Sequence, residues 1–298
     1  MNGGNSISRR EFIKATAGVA IGAALAGPVS ASASDESEES RFKKAVVLSM
    51  VPEMPSVEDR LKIASAAGFD GIEAPPIYEP DQLAVMRQAA EKTGIEIHSI
   101  IFGGWHAPLS SPDTAIAEKG AAELAGALKC AKELGADTVL LVPAVVNQNT
   151  RYVEAYERSQ KHLRALAPEA EKLGVIIAVE NVWNNFLLSP LEFARYIDEI
   201  DSPYVQAYFD VGNVVAFGWP EDWIRTLGPR IKKVHLKDFK RGPREWCNLG
   251  EGDVNWLEVR KALMEIGYKG YLTAELKGGD EAYLRDVSER MSRIAAGT

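Results

Sequence analysis

From Ala45 onward, short runs of apolar and often β-branched residues alternate with longer stretches in which apolar residues recur at helical spacing. Short apolar runs are typical of buried strands, and a 3.6-residue spacing is typical of amphipathic helices. The alternation predicts eight strands, with helices between them and one helix after the last. We place the strands at residues 45–50, 71–74, 96–101, 138–143, 176–181, 205–210, 231–236 and 270–276.

Five of the predicted helices end in a Gly that precedes the next strand by two or three residues. Gly adopts the left-handed conformation that ends a helix at low energetic cost. The junctions are Ala67-Gly68, Thr93-Gly94, Leu134-Gly135, Leu173-Gly174 and Ile266-Gly267. Such recurrence indicates repeated βα units.

Eight βα units in about 250 residues predict an α/β protein built as a closed (β/α)8 TIM barrel. An open doubly wound sheet is the alternative, but its first strand usually runs into a Gly-rich phosphate loop. Here the first predicted strand runs into Val51-Pro52-Glu53-Met54-Pro55, which cannot form that loop. The closed barrel is therefore the favoured architecture.

The N-terminus does not follow the barrel pattern. A paired-arginine string, Ser8 to Lys14, precedes the apolar run from Ala15 to Ala26 and the small-residue cleavage site Ala31-Ser32-Ala33. These parts, in this order, resemble a twin-arginine export signal, and the apolar run is shorter than a membrane span. We therefore expect an exported, periplasmic or extracytoplasmic protein with no stable membrane span after signal removal. The predicted division is a signal peptide at 1–33, a linker at 34–44 and one catalytic domain at 45–298.

Composition narrows the class of protein. The chain is 46% hydrophobic and 26% charged, which excludes a disordered chain, and its two cysteines exclude a disulfide scaffold. Cys130 falls on a predicted helix and Cys247 in a loop, so we expect no disulfide between them. The net charge of −8 argues against a nucleic-acid partner.

Four consecutive predicted strands close with polar residues that carry chemistry. Strands five, six, seven and eight carry, at or near their carboxyl ends, Glu180, Asp210, His235 and Glu275. Because side chains alternate along a strand, these four point into the barrel, and the carboxyl ends of barrel strands form the active-site mouth. We therefore expect the four side chains to meet there.

Three carboxylates in a half-buried site repel one another and require a cation. One imidazole with three carboxylates suits Mn, Co, Mg or Zn, and this ligand set does not choose among them. The sequence therefore predicts one divalent metal ion, for which we take manganese as the first expectation. Inward polar residues paired with lysines are the structural alternative.

Four segments carry a resemblance to a known family. They are Val179-Glu180-Asn181, Phe209-Asp210-Val211-Gly212-Asn213, Val234-His235-Leu236-Lys237-Asp238 and Thr273-Ala274-Glu275. They resemble the xylose-isomerase-like barrel superfamily, in particular its sugar and sugar-phosphate isomerases and epimerases.

The resemblance implies that Glu180, Asp210, His235 and Glu275 bind the metal and that Glu180 and Glu275 also serve as catalytic acid and base. A metal next to a ketose carbonyl acidifies the neighbouring C–H bond and stabilises an enediolate. Return of the proton to the same carbon gives epimerisation, and return to its neighbour gives aldose–ketose isomerisation. The sequence leaves both outcomes open.

Several further residues are candidates for binding a small carbohydrate. The resemblance places a substrate-binding Arg at Arg241, and a His of the free-sugar epimerases is replaced by Asn213, which can hydrogen-bond a hydroxyl. Glu73 and His98 are predicted to reach the mouth, with supporting or purely structural roles left open. Trp183 offers an aromatic face to a sugar ring, with packing as the alternative.

A basic segment follows the seventh predicted strand and contains Lys237, Lys240, Arg241 and Arg244. Such a cluster can bind a phosphate or carboxylate group of a substrate, and Lys237 is the member nearest to the predicted metal ligands. A solvated loop face is the alternative. Because sugar phosphates are mainly intracellular and we expect export, free sugars and sugar acids also stay open.

Three other functions deserve comparison with an isomerase. A three-zinc phosphodiesterase of the endonuclease IV type needs many more histidines than the four present here. A lyase such as a keto-inositol dehydratase uses the same enediolate chemistry but loses water. A non-catalytic sugar-binding barrel would not need both Glu180 and Glu275. Another copy of the same chain, in a homo-oligomer, stays open as a macromolecular partner.

Overall fold

The computed structural model describes residues 42–298. The predicted export signal at 1–33 and residues 34–41 of the predicted linker lie outside the described residues. Among the described residues, no helix is both long and apolar enough to cross a membrane. Cys130 and Cys247 are both free thiols, as the sequence predicts.

Eight parallel strands close into a barrel, which confirms the predicted architecture. Consecutive barrel strands pair side by side, and the last pairs with the first to complete the ring. The barrel strands are β1 (Phe42–Val47), β2 (Gly71–Ala74), β3 (Glu96–Gly103), β4 (Thr138–Leu141), β5 (Ile176–Glu180), β6 (Val205–Asp210), β7 (Ile231–Leu236) and β10 (Gly270–Ala274).

Helices cover the outside of the barrel and bury their apolar residues against it. Gly135 and Gly174 end two of them with left-handed backbone, at φ of 77° and 69°, as predicted. The helices are α1 (Val57–Ala66), α2 (Pro80–Thr93), α3 (Thr114–Leu134), α4 (Tyr152–Leu173), α5 (Pro190–Asp198), α6 (Val211–Val215), α7 (Pro220–Leu227), α8 (Trp256–Glu265) and α9 (Glu281–Ala296).

The first strand lies three residues earlier than predicted, and residues 48–50 form a 3-10 turn instead. Lys43 and Lys44 hide the true start of the strand from a hydropathy pattern. The Lys43 ammonium pairs with Glu96 at 2.8 Å, and the Lys44 ammonium donates to Ser288 Oγ at 2.8 Å. Because both charges find partners outside the apolar core, two lysines are tolerated within the strand.

A short antiparallel hairpin, β8 (Asp238–Lys240) and β9 (Glu245–Cys247), follows β7 and was not predicted. The fully buried Asp238 fixes this hairpin, because its carboxylate accepts from Gly250 N at 2.8 Å and from Trp256 Nε1 at 3.0 Å. Gly252 passes so close that an added Cβ would lie 2.1 Å from Asp238 Oδ1. The hairpin therefore has a fixed position beside the carboxyl end of β7.

Candidate metal centre

The structure brings together the four side chains predicted as metal ligands. Glu180 ends β5, Asp210 ends β6, His235 is the fifth residue of β7 and Glu275 directly follows β10. Each offers one ligand atom, and these atoms all lie within 4.8 Å of one another. The convergence arises because parallel neighbouring strands are in register, with Asp210 opposite His235 and His235 opposite Thr273.

The Nδ1 atom of His235 lies at the centre of the cluster. It is 3.0 Å from Glu180 Oε1, 2.8 Å from Glu275 Oε2 and 3.9 Å from Asp210 Oδ2. The side chains of Asp210 and His235 are fully buried, whereas that of Glu275 is 28% exposed. The cluster therefore opens to solvent on its Glu275 side, where a small molecule can reach it.

The other ring nitrogen of His235 contacts Glu73, which is fully buried. Glu73 Oε2 lies 2.6 Å from His235 Nε2, a distance at which an Nε2–H donates to this carboxylate. Burial acts to lower the pKa of His235, but the charges of Glu73 and Glu275 raise it overall, so Nδ1 becomes available to a metal when it loses its proton. A carboxylate in this place orients a metal-binding histidine and increases its basicity. The structure thus places Glu73 against the Nε2 side of His235, which agrees with the supporting role that the sequence analysis left open beside a contact with substrate.

Lys237 supplies the ammonium group closest to the cluster. Its Nζ lies 3.0 Å from Asp210 Oδ2 and 2.6 Å from Glu275 Oε2, yet neither oxygen accepts a well-directed hydrogen bond. A buried carboxylate oxygen that accepts no well-directed hydrogen bond is costly, and a cation that binds several oxygens at once removes this cost. The three carboxylates and one imidazole therefore fit a divalent metal ion, and their role as ligands stays a prediction.

The pKa values of the two glutamates predicted as acid and base are shifted in opposite directions. Burial, together with the charge of Glu275, raises the pKa of Glu180 to about 7, although His235 opposes the shift. Burial also acts to raise the pKa of Glu275, but the charges of His235 and Lys237 outweigh it and hold that pKa well below its usual range. Opposite shifts in neighbouring carboxyl groups are common where one acts as acid and the other as base.

Two asparagines hold Asp210 in place. The amide of Asn181 accepts from the Asp210 N–H at 2.8 Å and donates to the Asp210 carbonyl at 2.9 Å. The backbone N–H of Asn213 donates to Asp210 Oδ1 at 2.7 Å, and its side-chain amide donates to the Asn181 carbonyl at 3.0 Å. Asn213, predicted to bind substrate, therefore contacts Asp210 and also Asn181, the other residue that holds Asp210. Asn181 lies in a segment that carries the family resemblance, but its support of Asp210 was not predicted, because that contact joins two strands.

Aromatic side chains form a wall beside the cluster. The predicted substrate residue Trp183 stacks on Trp246 with ring centroids 5.1 Å apart, and the edge of Phe239 packs against both. The Nζ atom of Lys237 lies 5.9 Å from the centre of the Trp246 ring. Because Trp183 is 46% exposed and Trp246 47% exposed, the wall presents aromatic surface to solvent next to the metal centre.

His98 makes no described hydrogen bond or ion pair with the four predicted ligands. It is the third of eight residues in β3, and its ring stacks on Tyr271 with centroids 4.1 Å apart. Its Nε2 lies 3.1 Å from Thr273 Oγ1, and burial holds the pKa of His98 well below its usual range. His98 also lines a cavity with Lys233 and Tyr271, near the amino ends of β7 and β10. The described contacts of this histidine are therefore structural.

The basic segment after β7 does not gather around one point. Arg241 donates to the carbonyl of Gly218 at 2.7 Å and lies over the Trp219 ring at 5.0 Å. Arg244 occupies the tight turn of the β8–β9 hairpin, with a φ of 59°. Lys237 alone among them contacts the metal cluster. Arg241 therefore makes no described contact with the four predicted ligands.

Comparisons with known proteins agree with this fold. A family model described as xylose isomerase-like TIM barrel matches residues 61–294. The L-ribulose-5-phosphate 3-epimerase UlaE of Escherichia coli K12 is 27% identical over 257 residues, which cover 79% of this chain and 90% of UlaE.

Two solved structures share the same architecture. A D-tagatose 3-epimerase-like protein superimposes with a TM-score of 0.75 at 21% identity, covering 86% of this chain and 97% of that one. A D-psicose 3-epimerase, solved in the presence of D-fructose, gives a TM-score of 0.74 at 20% identity, covering 86% of this chain and 100% of that one. At this level of identity the likeness shows a shared fold.

Proposed function

The chain belongs to the xylose isomerase-like TIM barrel family, and from that premise we propose that it is a metal-dependent sugar isomerase or epimerase. The observation that carries the proposal is the convergence of Glu180, Asp210, His235 and Glu275 at the barrel mouth. The similarity to an L-ribulose-5-phosphate 3-epimerase supports the same reaction class.

The four side chains would hold a divalent ion, with manganese as the first expectation and cobalt, magnesium and zinc as alternatives. When bound, such an ion supplies Lewis-acid polarisation of the substrate carbonyl. His235 presents its Nδ1 because Glu73 fixes the opposite ring nitrogen. Asn181 and Asn213 fix the orientation of Asp210. The chain's own contribution is thus a rigid set of donors on barrel strands.

Glu180 and Glu275 are the proposed pair for proton transfer. In the ring of strands, β5 and β10 stand on either side of β6 and β7, so these two glutamates flank Asp210 and His235. One carboxylate accepts the proton from the carbon next to the carbonyl, and the other carboxyl group returns a proton. The two positions allow delivery from different sides, as epimerisation requires, and the enediolate is the species between the two transfers.

The direct test is proton exchange in heavy water. Full-length protein with Mn²⁺ is incubated with a panel of ketoses, sugar phosphates and hydroxypyruvate, and proton NMR identifies the carbon that gains deuterium. We expect exchange at one carbon next to a carbonyl and its loss after chelation. Exchange at C3 of a ketose alone indicates a 3-epimerase, whereas exchange together with aldose formation indicates an aldose–ketose isomerase.

A control and two contrary results complete this test. Readdition of Mn²⁺ after chelation should restore exchange, which separates metal removal from damage. Bound metal without exchange at any carbon would contradict the proposal. Loss of water from a substrate would favour the lyase alternative.

We also propose that the protein is exported by the twin-arginine route, on the strength of the Arg9-Arg10 pair and the cleavage site ending at Ala33. In a bacterium with this pathway, the exported form should begin after Ala33, as measured by intact mass of the periplasmic fraction. Replacing both Arg9 and Arg10 by Lys should leave uncleaved protein in the cytoplasm. Cleaved protein outside the cytoplasm in that variant would rule out this route.

A further inference from the structure

A cleft of about 950 Å³ runs outward from the open side of the metal centre. It begins at Lys237 and Glu275, passes between residues 246–248 and residues 276–280, and reaches Tyr283 at the start of α9. Small-molecule sites usually measure about 300–1,000 Å³. The cleft is thus at the upper end of this range, and the reacting carbons need only its inner part. Its outer part, which we call the distal cleft, has no role in the proton transfer.

Aromatic and amide groups line the distal cleft. Trp246 presents one ring face to the distal cleft. Its aromatic neighbours Trp183 and Phe239 pack against the ring and hold it in place. The Asn248 side-chain oxygen accepts from the Tyr283 hydroxyl at 2.8 Å, and the Asn248 amide N–H groups donate to none of the described residues. An aromatic face beside free amide donors matches a sugar ring, which has an apolar C–H face and hydroxyl edges.

The charges of the distal cleft do not suit a phosphate. Glu251 forms an ion pair with Arg290 at 3.0 Å. The Asp280 carboxylate accepts a hydrogen bond from the Tyr283 N–H at 2.9 Å, so the positive end of the α9 helix dipole already has a negative charge beside it. Lys277 is the one lining cation without an ion-pair partner among residues 42–298. A phosphate dianion here would meet two carboxylates and one free ammonium, whereas phosphate sites normally gather several donors.

The other cations that could serve a phosphate are committed elsewhere. Lys237 lies between Asp210 and Glu275. Arg241 is bonded to the carbonyl of Gly218 and is not among the residues that line the cleft. The basic segment identified from the sequence therefore does not supply an anion site in this cleft.

We infer that the distal cleft binds an uncharged sugar ring, so that the substrate is a ketose that carries a glycosyl group instead of a phosphate. This inference rests on the proposed function, because the ketose end must lie at the metal centre. It assigns Trp246 as the platform for the second ring and Asn248 as its hydrogen-bond donor.

Binding to the full-length protein loaded with Mn²⁺ tests the inference, measured by isothermal titration calorimetry. The probes share one ketose: D-fructose, D-fructose 6-phosphate, and the disaccharides isomaltulose, leucrose and lactulose, in which fructose carries a hexose on O6, O5 or O4. We expect at least one disaccharide to bind about tenfold more tightly than D-fructose, since ring stacking and added contacts contribute on this scale. We expect D-fructose 6-phosphate to bind no more tightly than D-fructose.

Two variants locate the effect. Trp246→Ala should remove the advantage of the disaccharide over D-fructose, whereas Phe217→Ala should keep it. Phe217 is a matched control because its ring is 54% exposed but does not line the cleft. Both rings are on the surface, so neither change should prevent folding.

Three results would overturn the inference: no disaccharide binds more tightly than D-fructose, D-fructose 6-phosphate binds most tightly, or Trp246→Ala leaves the ratio unchanged. The readout is binding, so the affinity ranking stands even when no deuterium exchange occurs. A failed exchange experiment would therefore contradict the proposed function without deciding this ranking.

Discussion

Turnover should fall at least about 100-fold when either Glu180 or Glu275 is replaced by Gln, because a positioned acid or base contributes about 10²–10⁴-fold to a rate. Gln keeps the size of the side chain and one oxygen that can contact a metal, but it cannot take up or release a proton at the reacting carbon. The rate is measured in heavy water as deuterium exchange and product formation, with the substrate that the exchange experiment identifies.

Metal content must be measured in both variants, because both glutamates are also predicted ligands. Raising the Mn²⁺ concentration until the variants carry the wild-type content should not restore turnover. Glu171→Gln makes the same chemical change on an exposed position of α4 and should leave the rate unchanged. Near-normal turnover in either active-site variant, or full recovery with added metal, would remove the acid/base assignment.

Folding should survive these two substitutions. Burial raises the pKa of Glu180 to about 7, so its carboxylate is costly to ionise in the protein, and a neutral amide of the same shape relieves that cost. The circular dichroism spectra of both variants and the thermal unfolding of Glu180→Gln should therefore match the wild type. Glu275→Gln loses a carboxylate that is paired with His235 and Lys237, so it should unfold at a somewhat lower temperature. An unfolded Glu180→Gln variant would indicate a structural role and would leave its lost activity without a mechanistic meaning.

The barrel and the four predicted ligands were accessible from sequence because each leaves a local signal. The strands are short apolar runs, and Gly135 and Gly174 mark where helices end. A polar residue closing an apolar strand is visible without knowledge of its neighbours. The closure of the barrel then brings such residues together, since all parallel strands end at the same face.

Contacts across the barrel left no such signal. Glu73 and His235 are 162 positions apart and meet only because closure of the barrel brings β2 near β7, with β1 and β10 between them. His98 shows the same limitation: its place in β3 depends on where that strand begins and ends, and the strand extends to Gly103. The sequence can therefore show that a polar residue in a strand points into the barrel, but it does not show how far along the barrel axis the residue lies.

The hairpin β8–β9 was missed for a different reason. Its strands have three residues each and contain charged side chains, so they show no hydrophobic alternation. What fixes the hairpin is the buried carboxylate of Asp238, which collects donors from the loop of residues 249–256. Since this hairpin carries Trp246, the distal cleft was also invisible in the sequence.

Replacing His235 by Ala should lower the free energy of unfolding by about 3–5 kcal/mol, because it leaves a buried charge without its partner. Glu73 is fully buried and His235 Nε2 is its ion-pair partner, at 2.6 Å. The measurement is urea unfolding with a chelator present, so that bound metal does not contribute to stability.

A second histidine provides the control. His106 lies at the same 2.6 Å from a glutamate, Glu123, but these side chains are 56% and 31% exposed. Exposed ion pairs contribute about 0–1 kcal/mol, so His106→Ala should cost little. Because the distance is the same in both pairs, a larger cost for His235→Ala cannot come from the distance between the partners and points to the buried surroundings of His235.

The double variant His235→Ala with Glu73→Gln should recover part of the lost stability, because it removes the charge that His235→Ala leaves unpaired. Coupled neighbours typically show interaction free energies of about 0.5–3 kcal/mol. A double variant no more stable than His235→Ala would show that Glu73 is not charged in the folded protein. Equal costs for His235→Ala and His106→Ala would contradict the role of burial. In the expected case, Glu73 and His235 form an electrostatic pair behind the metal ligands, and His235 is held for metal binding by a partner three strands away around the barrel.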